Sequence, residues 1–167
     1  MRIRLLTFLA LGGWTATAFA AGGSPHVDVK FAAPEKFTDV RHDSTSTGYD
    51  AGYLSELVTF LERQAPARVA PNGRLTITFT DIDLAGEFEP WHEGRWADVR
   101  IVKTLYPARL HFRFVLTDPS GAVIRSGERE LSDLSFTRLP GLAPDRLRFE
   151  KGLLDDWLSQ EFPKPRT

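Results

Sequence analysis

The sequence predicts an α+β fold, an antiparallel sheet of four to five strands with two helices packed on one face. Three observations predict it. Apolar and polar residues alternate at strand period in four separate segments, two other segments carry apolar stripes at helical spacing, and a short turn joins the last two strand segments.

The elements follow in order. In His26 to Phe31, Val27, Val29 and Phe31 fall on one face and Asp28 and Lys30 on the other, the pattern of a half-buried strand. Residues 32–49, rich in Pro, Asp, Ser, Thr and Gly, form a long loop, a length more often functional or mobile than merely connective. Asp50 is placed to cap a helix running to about Gln64, whose Tyr53, Leu54, Leu57, Val58 and Leu61 make one apolar stripe. Pro66 stops that helix, and Pro71-Asn72-Gly73 turns the chain into the next strand.

There Leu75, Ile77 and Phe79 alternate with Thr76, Thr78 and Thr80, after which the apolar phase moves to Ile82 and Leu84. That flip predicts a bulge or a crossing to another layer. Residues 86–97 read as loop, and residues 98–105 as a shorter strand. Leu110, Phe112, Phe114 and Leu116 mark the next strand, which Asp118-Pro119-Ser120-Gly121 turns into a partner over residues 122–131. Pro144 opens the last helix, in which Leu147, Leu153, Leu154, Trp157 and Leu158 face inward, and it ends before Pro163. Both helix stripes need the same sheet face. The other face is then open, with Thr76, Thr78, His111, Arg113 and some of Arg125, Glu128 and Arg129 on it.

Ahead of this pattern, Arg2 and Arg4 precede the apolar run Leu5 to Leu11, and the small-residue site Ala18-Phe19-Ala20 follows. These are the three parts of a cleavable secretory signal, with cleavage expected after Ala20. Residues 21–167 are then a single α+β domain. The apolar run is shorter than the ~20 residues a bilayer needs and is interrupted by Gly12-Gly13, so no membrane anchor is expected after cleavage. The expected compartment is the periplasm.

Composition narrows the chemistry. The chain has 21 Lys and Arg against 22 Asp and Glu; losing Arg2 and Arg4 with the signal leaves 19 against 22, a formal charge of −3. That balance disfavours nucleic acid as a partner. With no cysteine, the chain has no disulfide framework, no thiolate nucleophile, no Cys-ligated metal and no lipid attachment point at the cleavage site.

The most suggestive stretch is Thr80 to Glu89, where Asp81, Asp83, Glu87 and Glu89 place four carboxylates in nine residues. Counting Asp81 as position 1 of a calcium loop, Asp83 at 3 and Gly86 at 6 match, whereas Ala85 at 5 and His92 at 12 do not. The same acids could serve a paired-carboxylate hydrolase, with Asp39, Asp43 or Asp133 approaching from other segments. His26, His42, His92 and His111 are at least 16 residues apart, so no two share a helix face as zinc ligands do. Nucleophile-elbow, phosphate-loop and dinucleotide fingerprints are missing from the sequence. The tract Phe88 to Trp96 carries Arg95 and the rings of Phe88, Trp91 and Trp96, which suit stacking on a sugar, a peptide or another subunit, or folding back onto the core edge.

No catalytic residue, metal ligand set or cofactor is assigned on these grounds. The leading expectation is a non-enzymatic binding or interaction module for an envelope protein or glycan, contacting it through Asp81, Asp83, Glu87, Glu89, Trp91, Arg95, Trp96 and Arg113. The alternative is a carboxylate- or divalent-metal-dependent enzyme acting on an envelope polymer.

Three strings, Lys36-Phe37-Thr38-Asp39-Val40-Arg41, Thr80 to Pro90, and Leu131-Ser132-Asp133-Leu134-Ser135-Phe136, together make the chain resemble an exported bacterial family, domain of unknown function 3016. The resemblance spans nearly all of the chain after the signal. It implies a proteobacterial envelope protein with no assigned activity and no agreed catalytic residues.

Overall fold

The computed structural model describes residues 25–43, 45–89, 91, 97–135 and 145–163. The signal expected over residues 1–20, Arg95, Trp96 and Pro144 lie outside the described residues. Among the described residues the strands and α-helices follow one another as β1 (His26–Phe31), α1 (Ala51–Gln64), β2 (Arg74–Asp83), β3 (Glu87–Phe88), β4 (Arg100–Ile101), β5 (Arg109–Thr117), β6 (Val123–Ser132) and α2 (Arg148–Glu161). The main sheet has the order β1-β2-β5-β6, and β3 and β4 form a separate two-stranded ribbon. The strand expected over residues 98–105 is thus only Arg100–Ile101, paired with Glu87–Phe88.

The fold is α+β with both helices on one face, as predicted, but the sheet is mixed rather than antiparallel throughout. β1 runs parallel to β2, from His26 opposite Arg74 to Phe31 opposite Phe79, while β2–β5 and β5–β6 are antiparallel. The connection explains the direction. Parallel strands need a long crossover, and α1 supplies one between β1 and β2. Alternation reports which face of a strand is buried and says nothing about which way the strand runs.

Local signals become local structure where the backbone requires them. The Asp50 side chain accepts a hydrogen bond from the Gly52 amide at 2.6 Å, capping α1. The β2–β5 register shifts between Phe79 and Asp81, so the phase flip is a bulge at Thr80 that lets Phe79 and Ile82 both be fully buried. In the β5–β6 turn the Gly121 amide donates to the Asp118 carbonyl at 3.0 Å, and Gly121 holds φ at 89°, a value costly for a residue with a Cβ.

One apolar cluster unites the layers. Leu54, Leu57 and Leu61 of α1 and Leu154, Trp157 and Leu158 of α2 meet Leu75, Ile77, Phe79, Ile82, Leu110, Phe112 and Phe114 of the sheet. The Trp157 ring lies edge-on to Phe112, with centroids 4.7 Å apart, and to Phe114 at 5.4 Å. On β6 the same face carries Arg125 and Arg129, opposite Leu116 and Phe112. Glu128, opposite Arg113, is therefore the one of the three residues that lies on the open face. Arg129 Nε donates to Glu161 Oε2 at 3.0 Å and Arg125 donates to the Glu161 carbonyl, so the cations at the sheet edge close the C-terminal end of α2.

Because Leu154 is fully buried in the cluster that both helices share, Leu154→Ala should cost about 2–5 kcal/mol. Urea unfolding followed by near- and far-ultraviolet circular dichroism should show the two signals lost together; separate transitions for the helices would show that the core is divided.

Candidate functional site

β2 is longer than its parallel neighbour, and this creates the site. β1 covers β2 as far as Phe79, which leaves backbone groups beyond the bulge without a strand partner. Residues from the long loop take that place: the Asp39 amide donates to the Ile82 carbonyl at 3.0 Å and the Leu84 amide to the Asp39 carbonyl at 3.0 Å, a parallel bridge between Asp39 and Asp83. Two of the strings that stood out in the sequence, residues 36–41 and 80–90, are therefore in contact.

Their side chains interlock. Asp81 accepts from both the amide and the hydroxyl of Thr38 at 2.7 Å. Asp39, only 3% exposed, accepts from Arg41 Nε at 3.0 Å and from Arg100 Nη1 at 2.9 Å. Arg100 also donates to the Gly86 carbonyl at 2.9 Å and the Arg41 carbonyl at 3.2 Å, and its guanidinium lies 4.5 Å from the centre of the Phe88 ring. Arg41 reaches Glu87 at 3.2 Å. Gly86 turns the chain into this ribbon with φ at 86°, and a Cβ there would lie 2.9 Å from the Ile101 carbonyl oxygen. Glu89, 1% exposed, accepts from Lys103 Nζ at 2.6 Å and from the Tyr106 hydroxyl at 3.2 Å.

Two neighbouring carboxyls are pushed in opposite directions. Burial opposes ionisation of Asp39, but hydrogen bonds from Arg100 and Arg41 outweigh it and hold the group below its ordinary value. Burial, then the nearby Asp39 carboxylate, pushes Asp83 up. A high and a low carboxyl side by side is a pattern hydrolases use. Here Asp39 is covered and both its oxygens are occupied by guanidinium groups, so the split belongs to an ion-pair network of the kind that also perturbs titration.

The four acids of residues 81–89 thus point to different partners rather than to a common centre. Among the described residues no group of three or more His, Asp or Glu is arranged to hold a metal ion. Of the acids that could have approached them, Asp39 does. Asp43 instead accepts from the amides of Thr45 and Ser46 at 2.9 and 2.8 Å, and Asp133 accepts from the Ser135 amide at 2.7 Å.

The helix-free face is built differently. Arg109 lies 3.7 Å from Asp83, His111 lies 3.6 Å from Glu130, and Arg113 lies 3.9 Å from Glu128. All three exceed hydrogen-bond length. Thr80, His111, Arg113, Glu128 and Glu130 line a concavity of about 290 Å³ there. Trp91, from the aromatic tract, is 67% exposed.

Sequence reasoning did not single out Thr38, Arg41, Arg100, Lys103, Tyr106 or Glu150. Thr38 and Arg41 sit within a string that stood out, whereas Arg100 and Glu150 carry no local signal. Glu150, in the first turn of α2 and 1% exposed, accepts from the Ala85 amide at 2.7 Å, while its Oε2 has no partner among the described residues.

Burial raises the Glu150 carboxyl; the Arg100 guanidinium works against this and Asp145 adds to it. A group raised on folding contributes stability that is complete below its unfolded value and is lost as pH climbs through its folded value. Glu150→Gln should therefore gain on the parent as pH rises from about 5 to about 8, with a slope of up to about 1.4 kcal/mol per pH unit. Denaturation of both proteins across that range measures it, and a flat difference would mean that Glu150 is ionised throughout.

The model of a family described as Protein of unknown function (DUF3016) matches residues 25–160. No curated protein and no solved structure matches the chain. The matched span runs from the residue before β1 into the last turn of α2 and takes in the whole interlocked site, and on that match the chain belongs to the DUF3016 family.

Proposed function

We propose that the chain is an exported binding module whose helix-free sheet face receives a polar partner, an envelope protein or glycan. The observation that carries this reading is the contrast in charge spacing. Around Asp39 the cations and carboxylates meet at 2.9–3.2 Å, so both Asp39 oxygens are engaged within the protein. Across β2, β5 and β6 the pairs stand 3.6–3.9 Å apart, and their donors and acceptors are open to a ligand. Signs alternate over this face, a surface that suits hydroxyl, amide or mixed-charge chemistry better than a uniformly charged polymer.

Arg113 is central to that surface, with a side chain 57% exposed beside a Glu128 that is 79% exposed. Exposed pairs of this kind contribute about 0–1 kcal/mol to folding, so stability does not demand these charges. The exposed Trp91, with Trp96 and Arg95 near it in sequence, supplies the stacking element of the proposal. Export rests on the leader over residues 1–20, and the charge of the remaining chain favours neither nucleic acid nor an anionic bilayer.

The test uses the full chain expressed with its leader in a bacterial host. The protein should be recovered from the periplasm beginning at Ala21, and it should co-sediment with purified cell-wall sacculi or photo-crosslink to an envelope protein. Arg113→Glu, and separately Trp91→Ala with Trp96→Ala, should leave the melting temperature unchanged and reduce recovery about tenfold, the effect of about 1.4 kcal/mol. Retention of Met1 in a cytoplasmic fraction defeats the export half of the proposal, and undiminished recovery by every variant defeats the contact surface. Release of soluble fragments from sacculi, lost in Asp81→Asn, would instead place the chain among enzymes.

A further inference from the structure

A second site stands apart from the sheet face. Between α1 and α2 lies a cavity of about 360 Å³, lined by Phe60 and Gln64 from α1, by Asp145 just ahead of α2, and by Arg148, Lys151, Gly152 and Asp155 from α2. That volume falls in the range that holds small organic ligands.

Two independent features show how the cleft is kept open and what charge it lacks. Gly152 occupies the interior of a 14-residue helix, where only proline is less favourable. Neither backbone nor packing calls for it. Its φ is not positive, and a Cβ built there meets no atom within 4 Å. What the absent side chain does is leave the cavity floor clear, the use of glycine where a ligand approaches the backbone closely.

The charges around the rim leave one cation over. Lys151 is occupied by Glu56 at 2.5 Å and Asp145 at 2.6 Å, and Asp155 lies 3.4 Å from Arg68. Arg146 also binds Glu56, at 2.8 Å, so these pairs bind the start of α2 to α1 and hold the cleft walls in place. Burial opposes ionisation of Glu56, but Lys151 and Arg146 outweigh it, and the clasp is charged at neutral pH. Arg148 differs from its neighbours. Its guanidinium lies 4.4 Å from the centre of the adjacent Phe149 ring, and among the described residues no carboxylate is paired with it.

We propose that the cleft between α1 and α2 binds a small organic carboxylate with an apolar body, the carboxylate on Arg148 and the body over Phe60 and Gly152. The guanidinium fork matches a carboxylate in two parallel hydrogen bonds, which gives the site its preference for that head group. The ring of Phe60 and the bare Gly152 backbone accept the apolar part. This site shares no residue with the sheet-face concavity and stands whether or not that surface binds a partner.

The experiment titrates the full chain with hexanoate, hexanol and hexylammonium, followed by amide chemical shifts. Hexanoate should give saturable shifts at Gln64, Arg148 and Gly152, and hexylammonium should give none. Arg148→Gln should weaken hexanoate about tenfold and leave hexanol unchanged. Gly152→Leu should abolish binding of hexanoate while keeping the circular dichroism of the parent. Should that variant fail to fold, Gly152→Ala, whose Cβ meets open space, should weaken hexanoate with a melting temperature at or above the parent's. Equal response to all three probes, unsaturable shifts, or parental affinity in both Gly152 variants overturns the proposal.

Discussion

A four-stranded sheet with two helices can bury both helix stripes at once only on one of its faces, and that constraint sorts the rest of the chain. Leu75, Ile77 and Phe79 take the covered side of β2, and the intervening threonines are turned outward by the pleat. The bulge at Thr80 keeps Ile82 on the covered side where strict alternation would have turned it out. At the β6 edge the covered face outlasts the apolar sequence. Arg125 and Arg129 fill it, their charges reaching Glu161 and their planes lying over Phe162 and Phe114. They serve as packing as much as charge, which an arginine stem allows.

The excursion between β2 and β5 has a different problem. Its ribbon, β3 and β4, is two residues per strand, too short to stand alone. Polar ties hold it instead. Asp39 binds Arg41 and Arg100, Arg41 binds Glu87, and the Ala85 amide is held by Glu150 from α2. Such a buried pair gains little over an apolar substitute, yet removing one partner leaves a buried charge uncompensated at a cost of about 3–5 kcal/mol. The ties therefore set the position of the ribbon more than they add to stability. Asp39 and Glu150, both almost fully covered, titrate in opposite directions for a plain reason. Two guanidinium groups meet the first carboxylate, and a single backbone amide and an unpartnered oxygen mark the second.

Elements were legible in the sequence where their cause is local. Alternation in Val27–Phe31 and Leu110–Leu116, the Asp50 cap, the Asp118–Gly121 turn and the stripe ending at Leu158 all depend on residues a few positions apart. The parallel direction of β1 was not legible, because direction is imposed by the crossover and leaves no mark in the strand. The side taken by Arg125, Glu128 and Arg129 was recoverable from Leu131, which shares parity with both arginines and faces inward opposite Leu110. Glu150 was hidden for another reason. An acid in the first turn of a helix is ordinary, and only the fold shows that a loop from 65 residues earlier lies over it.

The candidate site was legible in outline only. Asp81 and Asp83 do face the same way, and Asp39 does come to meet them, but the acidity of residues 81–89 is divided among partners on three segments. Those partners explain why the acids look like a ligand set in one dimension and not in three. Thr38, Arg41 and Lys103 satisfy Asp81, Glu87 and Glu89 in turn. Among the described residues, loosely paired charges lie elsewhere, on the open strands and at Arg148. Those two places are separated by the sheet itself, one on its bare face and one in the helix layer above the other. Substitutions at sites so placed, with no shared partners, add independently. Each binding reading therefore stands or falls on its own residues, and the core between them acts as the fixed frame for both.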